Sequence, residues 1–308
     1  MRKRLQNKIA ESRMALPVTA FLTLLVWLAM PTTAHSAYVS LLLLGMSSYI
    51  MVELNNRNAL IRTYSRMVSC SFIVLTTCVV ALLGSYVPLV VQLCMASCYM
   101  ILFNCYQDKR SQGRMFYAFM FIGIASLFFI QILFVVPVLW LLSAVNLMAF
   151  NSRSLFASLL GLMLPYWFWG GYSVFTGDFA AIVQHLSAIT CFMPLSDYAV
   201  PDIRLVISFA YVTLVSIIGV VHFLRNSYKD KIRTRMLYEL IISFNAALFL
   251  FAILQPQHIK PLLAMMIINA SVLVGHFITL TRTRLTNVMF ILLLVTMAAL
   301  TVYNTWIF

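Results

Sequence analysis

Long apolar runs without internal charges dominate the middle of this chain. Three such runs lie between Arg114 and Asp178, and Arg153 is the only charged residue that separates any of them. Each run is about as long as a helix needs to cross the hydrocarbon core of a bilayer, roughly 20 residues. A bilayer offers no hydrogen-bond partners to irregular backbone, so runs of this kind predict membrane-spanning helices.

The composition of the whole chain supports the same fold class. Of its 308 residues, 63% are apolar and only 9% are charged, which excludes an ordinary soluble domain. The formal charge of +13 is carried by short basic clusters between apolar runs, a pattern typical of orientation signals rather than of a nucleic-acid surface. We therefore predict one all-α integral membrane domain over residues 1–308 and no nucleic-acid partner.

The apolar runs predict a helical bundle of about eleven spans, with seven in residues 15–175, an external segment at 176–202 and four spans in 203–308. One helix from Met115 to Phe150 would be about 54 Å long, so this run should fold back near Phe129-Ile130-Gln131. The other predicted spans are Ala15–Met30, Ala37–Val52, Met67–Leu83, Val87–Tyr106, Ser154–Phe175, Ile203–Leu224, Met236–Leu254, Pro261–Leu280 and Asn287–Trp306. A cleaved signal peptide is the alternative for the first of them.

Basic residues are distributed unevenly between the alternating loops. Of the 21 Lys and Arg residues, only Arg204 and Lys260 fall on one predicted side. Because Lys and Arg accumulate on the cytoplasmic side of membrane proteins, we predict a cytoplasmic N-terminus and an external C-terminus. The basic loop at 225–235 is predicted to bind the anionic inner leaflet. Its basic residues are Arg225, Lys229, Lys231, Arg233 and Arg235.

Two acidic residues lie close to predicted cytoplasmic boundaries. Glu53 has Arg57 four positions away, and Glu239 has Arg235 at the same distance, so both are predicted to form interfacial ion pairs. No charged residue lies deep in a span, and this scarcity disfavours ion-coupled transport.

His222 and His276 occur at comparable depth in two spans. We interpret them as hydrogen-bonded interfacial imidazoles, with haem ligation as the alternative, and we expect neither a cofactor nor a metal. Amide side chains within the spans are predicted to hydrogen-bond between helices. These are Gln92, Asn104, Gln131, Asn146, Asn245 and Asn269.

The sequence contains no phosphate-binding loop, nucleophile elbow or zinc motif. Any reactive face should therefore lie in the external segment, where acidic residues collect with a histidine and an arginine. Candidate catalytic residues are Asp178, His185 and Arg204. Candidate substrate-binding residues are Trp167, Trp169, Tyr172, Asp197 and Asp202, although the aromatic residues also fit an interfacial belt.

Residues 176–202 show helical periodicity, which predicts an amphipathic interfacial helix rather than an open loop. Its apolar positions are Phe179, Ile182, Val183, Leu186 and Ile189. We expect Thr176 to cap its first turn and Pro194 and Pro201 to bound its exit. A bridge between two spans and a substrate lid near Pro165 are both open interpretations.

Six short motifs follow one another in order between Leu54 and Thr176. They are Leu54-Asn55-Asn56-Arg57, Phe121-Ile122-Gly123-Ile124-Ala125-Ser126-Leu127-Phe128-Phe129, Leu139-Trp140, Phe150-Asn151-Ser152-Arg153, Ala157-Ser158-Leu159-Leu160-Gly161 and Leu164-Pro165-Tyr166. In this part the chain resembles an uncharacterised family of multi-pass inner-membrane proteins of Bacteroidota. The resemblance implies an envelope protein of a Gram-negative bacterium. It brings no established activity.

Three functions are consistent with this sequence. The first is a non-catalytic assembly, scaffold or lipid-handling protein of the inner membrane, with an envelope protein or a lipid-linked molecule as partner. The second is an enzyme acting on polyprenyl-linked glycans, similar to a glycosyltransferase or an O-antigen polymerase or ligase. The third is a transporter.

The charge asymmetry generates a topology prediction. A reporter fused after Phe308 should be active outside the cytoplasm, and one inserted at Arg233 should be active only inside it, because the basic loops stay in the cytoplasm. Paired alkaline phosphatase and fluorescent-protein fusions measure this. Finding both reporters on one side of the membrane would contradict the eleven-span arrangement.

Overall fold

The computed structural model describes residues 4–29, 34–177, 179–190, 192 and 201–306, and every regular element in them is helical. The α-helices are α1 (Leu5–Ala10), α2 (Ala15–Leu28), α3 (Ala34–Asn58), α4 (Met67–Cys78), α5 (Val80–Leu83), α6 (Tyr86–Leu102), α7 (Gln112–Phe128), α8 (Val136–Val145), α9 (Ser152–Thr176), α10 (Ala180–Ser187), α11 (Ile203–Asn226), α12 (Ile232–Leu254), α13 (Ile259–Leu280) and α14 (Arg284–Trp306). Short 3-10 helices occupy Phe103–Cys105, Ile130–Val135, Ala188–Thr190, Ser227–Lys229 and Pro256–His258.

Six helices of the described chain are long and apolar enough to cross a membrane. They are Tyr38–Asn58, Tyr86–Cys105, Ile203–Lys229, Ile232–Leu254, Pro256–Leu280 and Arg284–Trp306. These correspond to the second, fourth and last four predicted spans. The predicted all-helical fold is therefore confirmed, and the six apolar helices are those of a multi-pass membrane protein.

Helix α13 lies at the centre of the bundle, packed against α4, α6, α11 and α12. Every side chain from Leu262 to Thr279 is buried, as expected for a helix that is apolar on all sides. Two predicted interhelical amides join α6 to it. Gln92 donates from Nε2 to the Ala264 carbonyl at 3.1 Å, and Tyr99 donates from its hydroxyl to Asn269 Oδ1 at 2.8 Å.

The third predicted span is a broken helix. Helix α4 ends at Cys78, Val79 leaves helical geometry with φ −96° and ψ 72°, and α5 then resumes. The Cys78 carbonyl is freed by this break and accepts a hydrogen bond from Asn304 Nδ2 of α14 at 2.7 Å. An interrupted helix is tolerated in a membrane bundle because a neighbouring helix satisfies the freed backbone group.

The predicted fold-back between the fifth and sixth runs is confirmed at Phe129, where α7 ends. The return leg begins with the 3-10 helix Ile130–Val135 and continues as α8. A 3-10 helix rises about 2.0 Å per residue and an α-helix about 1.5 Å, so this leg covers about 27 Å, close to the thickness of a bilayer core.

Helices α7 and α9 approach each other through glycines. A methyl group on Gly161 would overlap the Phe116 carbonyl oxygen, and one on Gly123 would lie 2.7 Å from the Leu162 carbonyl oxygen. Helix α9 continues through Pro165, which packs beside Gly123. Close backbone contact at small residues is a common means of joining helices in lipid.

The predicted interfacial helix is present but shorter than expected, as α10 followed by the 3-10 helix Ala188–Thr190. The predicted cap at Thr176 is wrong, because α9 extends to that residue and its hydroxyl donates to the Tyr172 carbonyl at 3.1 Å. Gly177, with φ 74°, ends α9 in the left-handed conformation that favours glycine. Pro194 lies outside the described residues, and Pro201 stands just ahead of α11 as predicted.

The glycine contact generates a stability prediction. Gly161→Ala should destabilise the protein by about 1–3 kcal/mol, because the new methyl group forces α7 and α9 apart. Thermal unfolding in detergent measures the change. Gly170→Ala in the same helix is the matched control, since no heavy atom lies within 4 Å of a methyl group there, and it should not destabilise the protein. Equal effects of the two variants would contradict the close contact.

Candidate functional site: an arginine-lined cleft

Loops that the sequence analysis assigns to the cytoplasm contact one another at one end of the bundle, which we call the basic end. Arg62 Nη1 donates to the Lys229 carbonyl at 3.4 Å, and Asn151 Nδ2 donates to the Lys109 carbonyl at 2.8 Å. Gln6 of α1, almost fully buried, donates from Nε2 to the Ile278 carbonyl at 2.7 Å. These contacts gather the ends of several helices into one surface.

Three arginines from three helices meet in a cleft at the basic end. Arg57 lies in the last turn of α3, and Arg114 and Arg233 lie in the first turns of α7 and α12. The cleft has a volume of about 560 Å³, within the range of small-molecule sites. We call it the arginine cleft, and its lining residues are Arg57, Ile101, Asn104, Tyr106, Arg114 and Arg233.

Two asparagines shape the wall beside Arg57. Asn55 donates from Nδ2 to the Ser65 carbonyl at 3.1 Å and accepts from the Ile61 amide at 3.3 Å, which folds the loop after α3 back onto the helix. Asn58 is buried and presents its side-chain oxygen towards α12. The end of α3 therefore contacts both its own following loop, through Asn55, and α12, through Asn58.

Arg233 is the most unusual group in the cleft. Its Nη2 donates to the Asn58 side-chain oxygen at 3.0 Å and to the Phe103 carbonyl at 3.3 Å, both neutral acceptors. Its Nε is buried and has no hydrogen-bond partner among the described residues. A half-buried guanidinium without a carboxylate partner is electrostatically incomplete, because buried charges are normally paired.

The other two arginines have carboxylate partners on the rim. Arg57 Nε lies 2.5 Å from Glu53 Oε1, so this predicted ion pair is confirmed, and Arg114 Nη1 lies 3.4 Å from Asp108 Oδ2. Both arginine side chains are more than half exposed, at 57% and 52%. The three guanidinium groups therefore exceed the two carboxylates by one positive charge, and exposed pairs of this kind exchange partners at little energetic cost.

The second predicted ion pair is not formed within the described residues. Glu239 is exposed, and no salt bridge joins it to Arg235. The acidic residue of this region that is engaged is Asp230, in the loop before α12. Its carboxylate lies 3.0 Å from His276 Nε2, with both side chains at least 96% buried.

This contact changes the interpretation of both histidines. His276 is hydrogen-bonded as predicted, but it is fully buried and its partner comes from the basic loop. The His222 and His276 rings are in direct contact, with centroids 5.3 Å apart, which leaves no space for a porphyrin between them. Asp230 lies in a loop between two spans, and its side chain is nevertheless buried by this tertiary contact.

The candidate residues of the external segment divide into two sets. His185 of α10 points inward, with Nε2 3.0 Å from the Ser126 carbonyl and its ring 5.1 Å from that of Trp169. Asp202 and Arg204 lie at the start of α11, where they line a cavity of about 30 Å³ together with Ala81, Leu205, Ser208 and Asn304. Asp178 and Asp197 lie outside the described residues.

The aromatic candidates differ in direction. Trp169 packs on His185, whereas Trp167 and Tyr172 are 80% and 66% exposed. Exposure of large aromatic rings on the flank of an apolar bundle is typical of an interfacial belt. The His185 ring nitrogen Nε2 contacts a backbone carbonyl and not a nucleophile, so this contact is a structural one.

Sequence analysis did not identify the arginine cleft. Each of its arginines carries an orientation signal, and no local pattern connects Arg57, Arg114 and Arg233, which are far apart in the chain. In the segment Glu-Leu-Asn-Asn-Arg-Asn at the end of α3, polar side chains cluster beside an apolar run. It could have indicated a structured helix end, but not its partners.

The described residues thus define a polytopic helical bundle with membrane-type spans and a cationic cleft at one end. Comparison of the chain with protein-family models, with curated proteins and with solved structures finds no match.

The inward position of His185 generates a prediction. His185→Ala should loosen α10 by about 1 kcal/mol, the typical contribution of one hydrogen bond, so that the amides of residues 180–187 exchange faster with deuterium. Gln184→Ala is the control, because this neighbouring side chain is exposed. Unchanged exchange in His185→Ala would show that α10 is held by other contacts.

Proposed function

We propose that this protein is a non-catalytic, lipid-handling protein of the bacterial inner membrane that binds a phosphate-bearing lipid headgroup in the arginine cleft. The observation that carries the proposal is Arg233, a half-buried cation with only neutral acceptors and an unpartnered Nε. A bound anion would complete this site. Arg57 and Arg114 would supply further donors from the rim.

Phosphate fits the chemistry of the cleft better than a carboxylate does. A guanidinium presents parallel N–H groups that match two oxygens of a phosphate or a carboxylate, and a phosphate has additional oxygens for a second arginine. Asn104 and Tyr106 add polar groups, and Ile101 adds an apolar wall beside them. This mixture suits a headgroup that remains attached to an acyl chain.

The position of the cleft supports a lipid source for the phosphate. Its three arginines lie within about one turn of the ends of apolar helices, which is the depth at which headgroups meet a spanning helix. The neighbouring basic residues Arg225, Lys229 and Lys231 are exposed and would attract an anionic leaflet, with about 1 kcal/mol per residue. Arg233 lines the cleft and does not belong to this exposed basic surface.

The alternative functions have less support. An enzyme acting on polyprenyl-linked glycans would use the opposite end, where His185 contacts Ser126 and Trp169 and Arg204 lines a cavity of about 30 Å³. Asp202 also lines a cavity of about 470 Å³ there with His258 and Lys260. Asp202 and Lys260 are exposed, unlike the half-buried Arg233 of the arginine cleft. We also propose that the basic end faces the cytoplasm, which the topology fusions test. The resemblance to inner-membrane proteins of Bacteroidota belongs to the same proposal.

The proposal predicts selective loss of anionic lipid from a cleft variant. Arg233→Gln should lower the affinity for phosphatidylglycerol about tenfold or more, since a hydrogen bond to a charged group contributes about 1.5–3 kcal/mol. Titration of purified protein in nanodiscs with fluorescent phosphatidylglycerol, against a phosphatidylcholine background, measures this. Arg233→Lys should retain part of the affinity, because lysine keeps the positive charge but lacks the parallel N–H groups of the guanidinium.

Arg110→Gln is the matched control, because Arg110 is an exposed arginine of the basic end outside the cleft. Equal affinities of Arg233→Gln and Arg110→Gln would overturn the site. Competition with inorganic phosphate and with glycerol phosphate identifies the source of the ligand. Displacement of the lipid at low concentrations of either soluble anion would replace the lipid by a soluble phosphate as the natural ligand.

A further inference from the structure

Three ionisable side chains from three elements meet beneath the basic end. Asp230 belongs to the loop between α11 and α12, His222 to α11 and His276 to α13. The Asp230 side chain is 4% exposed and that of His276 is fully buried, with 3.0 Å between Oδ2 and Nε2. The His222 ring lies 5.3 Å from the His276 ring. We call these three residues the Asp–His cluster.

Aromatic rings enclose the Asp–His cluster. Tyr238 and Phe223 lie edge-on to the His276 ring at 5.0 and 5.5 Å, and Phe277 lies edge-on to His222 at 5.3 Å. A carboxylate in such surroundings is unfavourable unless a donor compensates it, and removing the donor leaves a buried charge. The Asp230–His276 contact is therefore a strong constraint on the loop that carries Asp230.

That loop determines the position of Arg233. Asp230 directly precedes Lys231, the residue before α12, and Arg233 is in the first turn of α12. The same helix contacts His276 again through Tyr238, whose hydroxyl donates to the Leu60 carbonyl at 3.4 Å. Asp230 thus connects α13, the buried centre of the bundle, to the helix start that places a guanidinium in the arginine cleft.

We propose that the Asp230–His276 pair is a protonation-dependent latch that positions Arg233, so that headgroup binding in the arginine cleft responds to pH. This inference rests on the proposed function and names its regulation. Asp230 and His276 are positioning residues, since they act on the ligand only through α12 and Arg233.

The direction of the response follows from the charge of the pair. With neutral imidazole the buried pair carries one negative charge, and with imidazolium it carries none. His276 Nδ1 has no partner among the described residues, so an N–H group at this atom would break no existing hydrogen bond. Acidification should therefore tighten the latch and raise headgroup affinity, whereas rising pH should loosen it.

Other ionisable groups act on the cluster from the neighbouring elements. His222 of α11 and Tyr238 of α12 both contact the His276 ring, and Lys229 directly precedes Asp230 in the loop. Because two adjacent imidazolium groups repel each other, a charge on His222 opposes a charge on His276. His222→Gln therefore separates the response of His276 from that of its neighbour.

The test is the affinity for phosphatidylglycerol in nanodiscs, measured between about pH 5 and pH 8, the range in which histidine titrates. The wild-type affinity should fall with rising pH. Asp230→Asn and His276→Gln should bind about tenfold more weakly at the acidic end and should lose the pH response. Asp230→Asn combined with Arg233→Gln should bind no more weakly than Arg233→Gln alone, because both changes act through the same guanidinium.

Tyr228→Phe, at an exposed and uncharged residue of the same loop, is the matched control and should keep both affinity and pH response. A flat wild-type profile overturns the latch without any variant, so the test stands even if a variant fails to fold. Wild-type affinity and slope in Asp230→Asn, with binding lost in Arg233→Gln, overturn the latch and leave the headgroup site intact. Retained binding in Arg233→Gln overturns the site itself.

Discussion

The bundle depends on one helix, α13, that is enclosed by protein on every side. In lipid, burial of apolar side chains provides little driving force between helices, so close packing and hydrogen bonds must hold such a helix. Gly275 lets the Val68 backbone approach it, and Gly219 of α11 packs against Leu273. The amide contacts of Gln92 and Asn269 fix its register against α6.

The same constraint accounts for the irregular elements. A helix that stops inside the bundle must have its free backbone groups satisfied by a neighbour. Asn304 does this for the break after α4, and Gln131 does so for the 3-10 helix Ala188–Thr190 by donating to the Ala188 carbonyl at 3.1 Å. Breaks therefore occur where a polar side chain of another helix is available, and each break adds a specific contact to the fold.

Polar chemistry is displaced to the ends of the helices as a consequence. At the basic end, the last turn of α3 lies beside the first turns of α7 and α12, and the arginines of these turns line the arginine cleft. Two of these arginines keep carboxylates within reach, and the third has neutral partners only. The carboxylate nearest to Arg233 in sequence, Asp230, is turned towards His276 instead. The cationic character of the cleft thus depends on where α13 places a histidine.

The sequence by itself determined the properties that depend on local composition. Transfer into a bilayer is decided segment by segment, so the apolar runs predicted helices and the fold-back at Phe129. Of the predicted amides, Gln92, Asn245 and Asn269 bind between spans, whereas Asn104 donates to the Met100 carbonyl next to it in the chain. Only the tertiary structure decided which helix ends meet. Arg233 and Asn58 are 175 positions apart, and Asp230 looks like a solvated loop residue until α13 is packed beside it, because charge pairing in a folded protein depends on distances that no local pattern encodes.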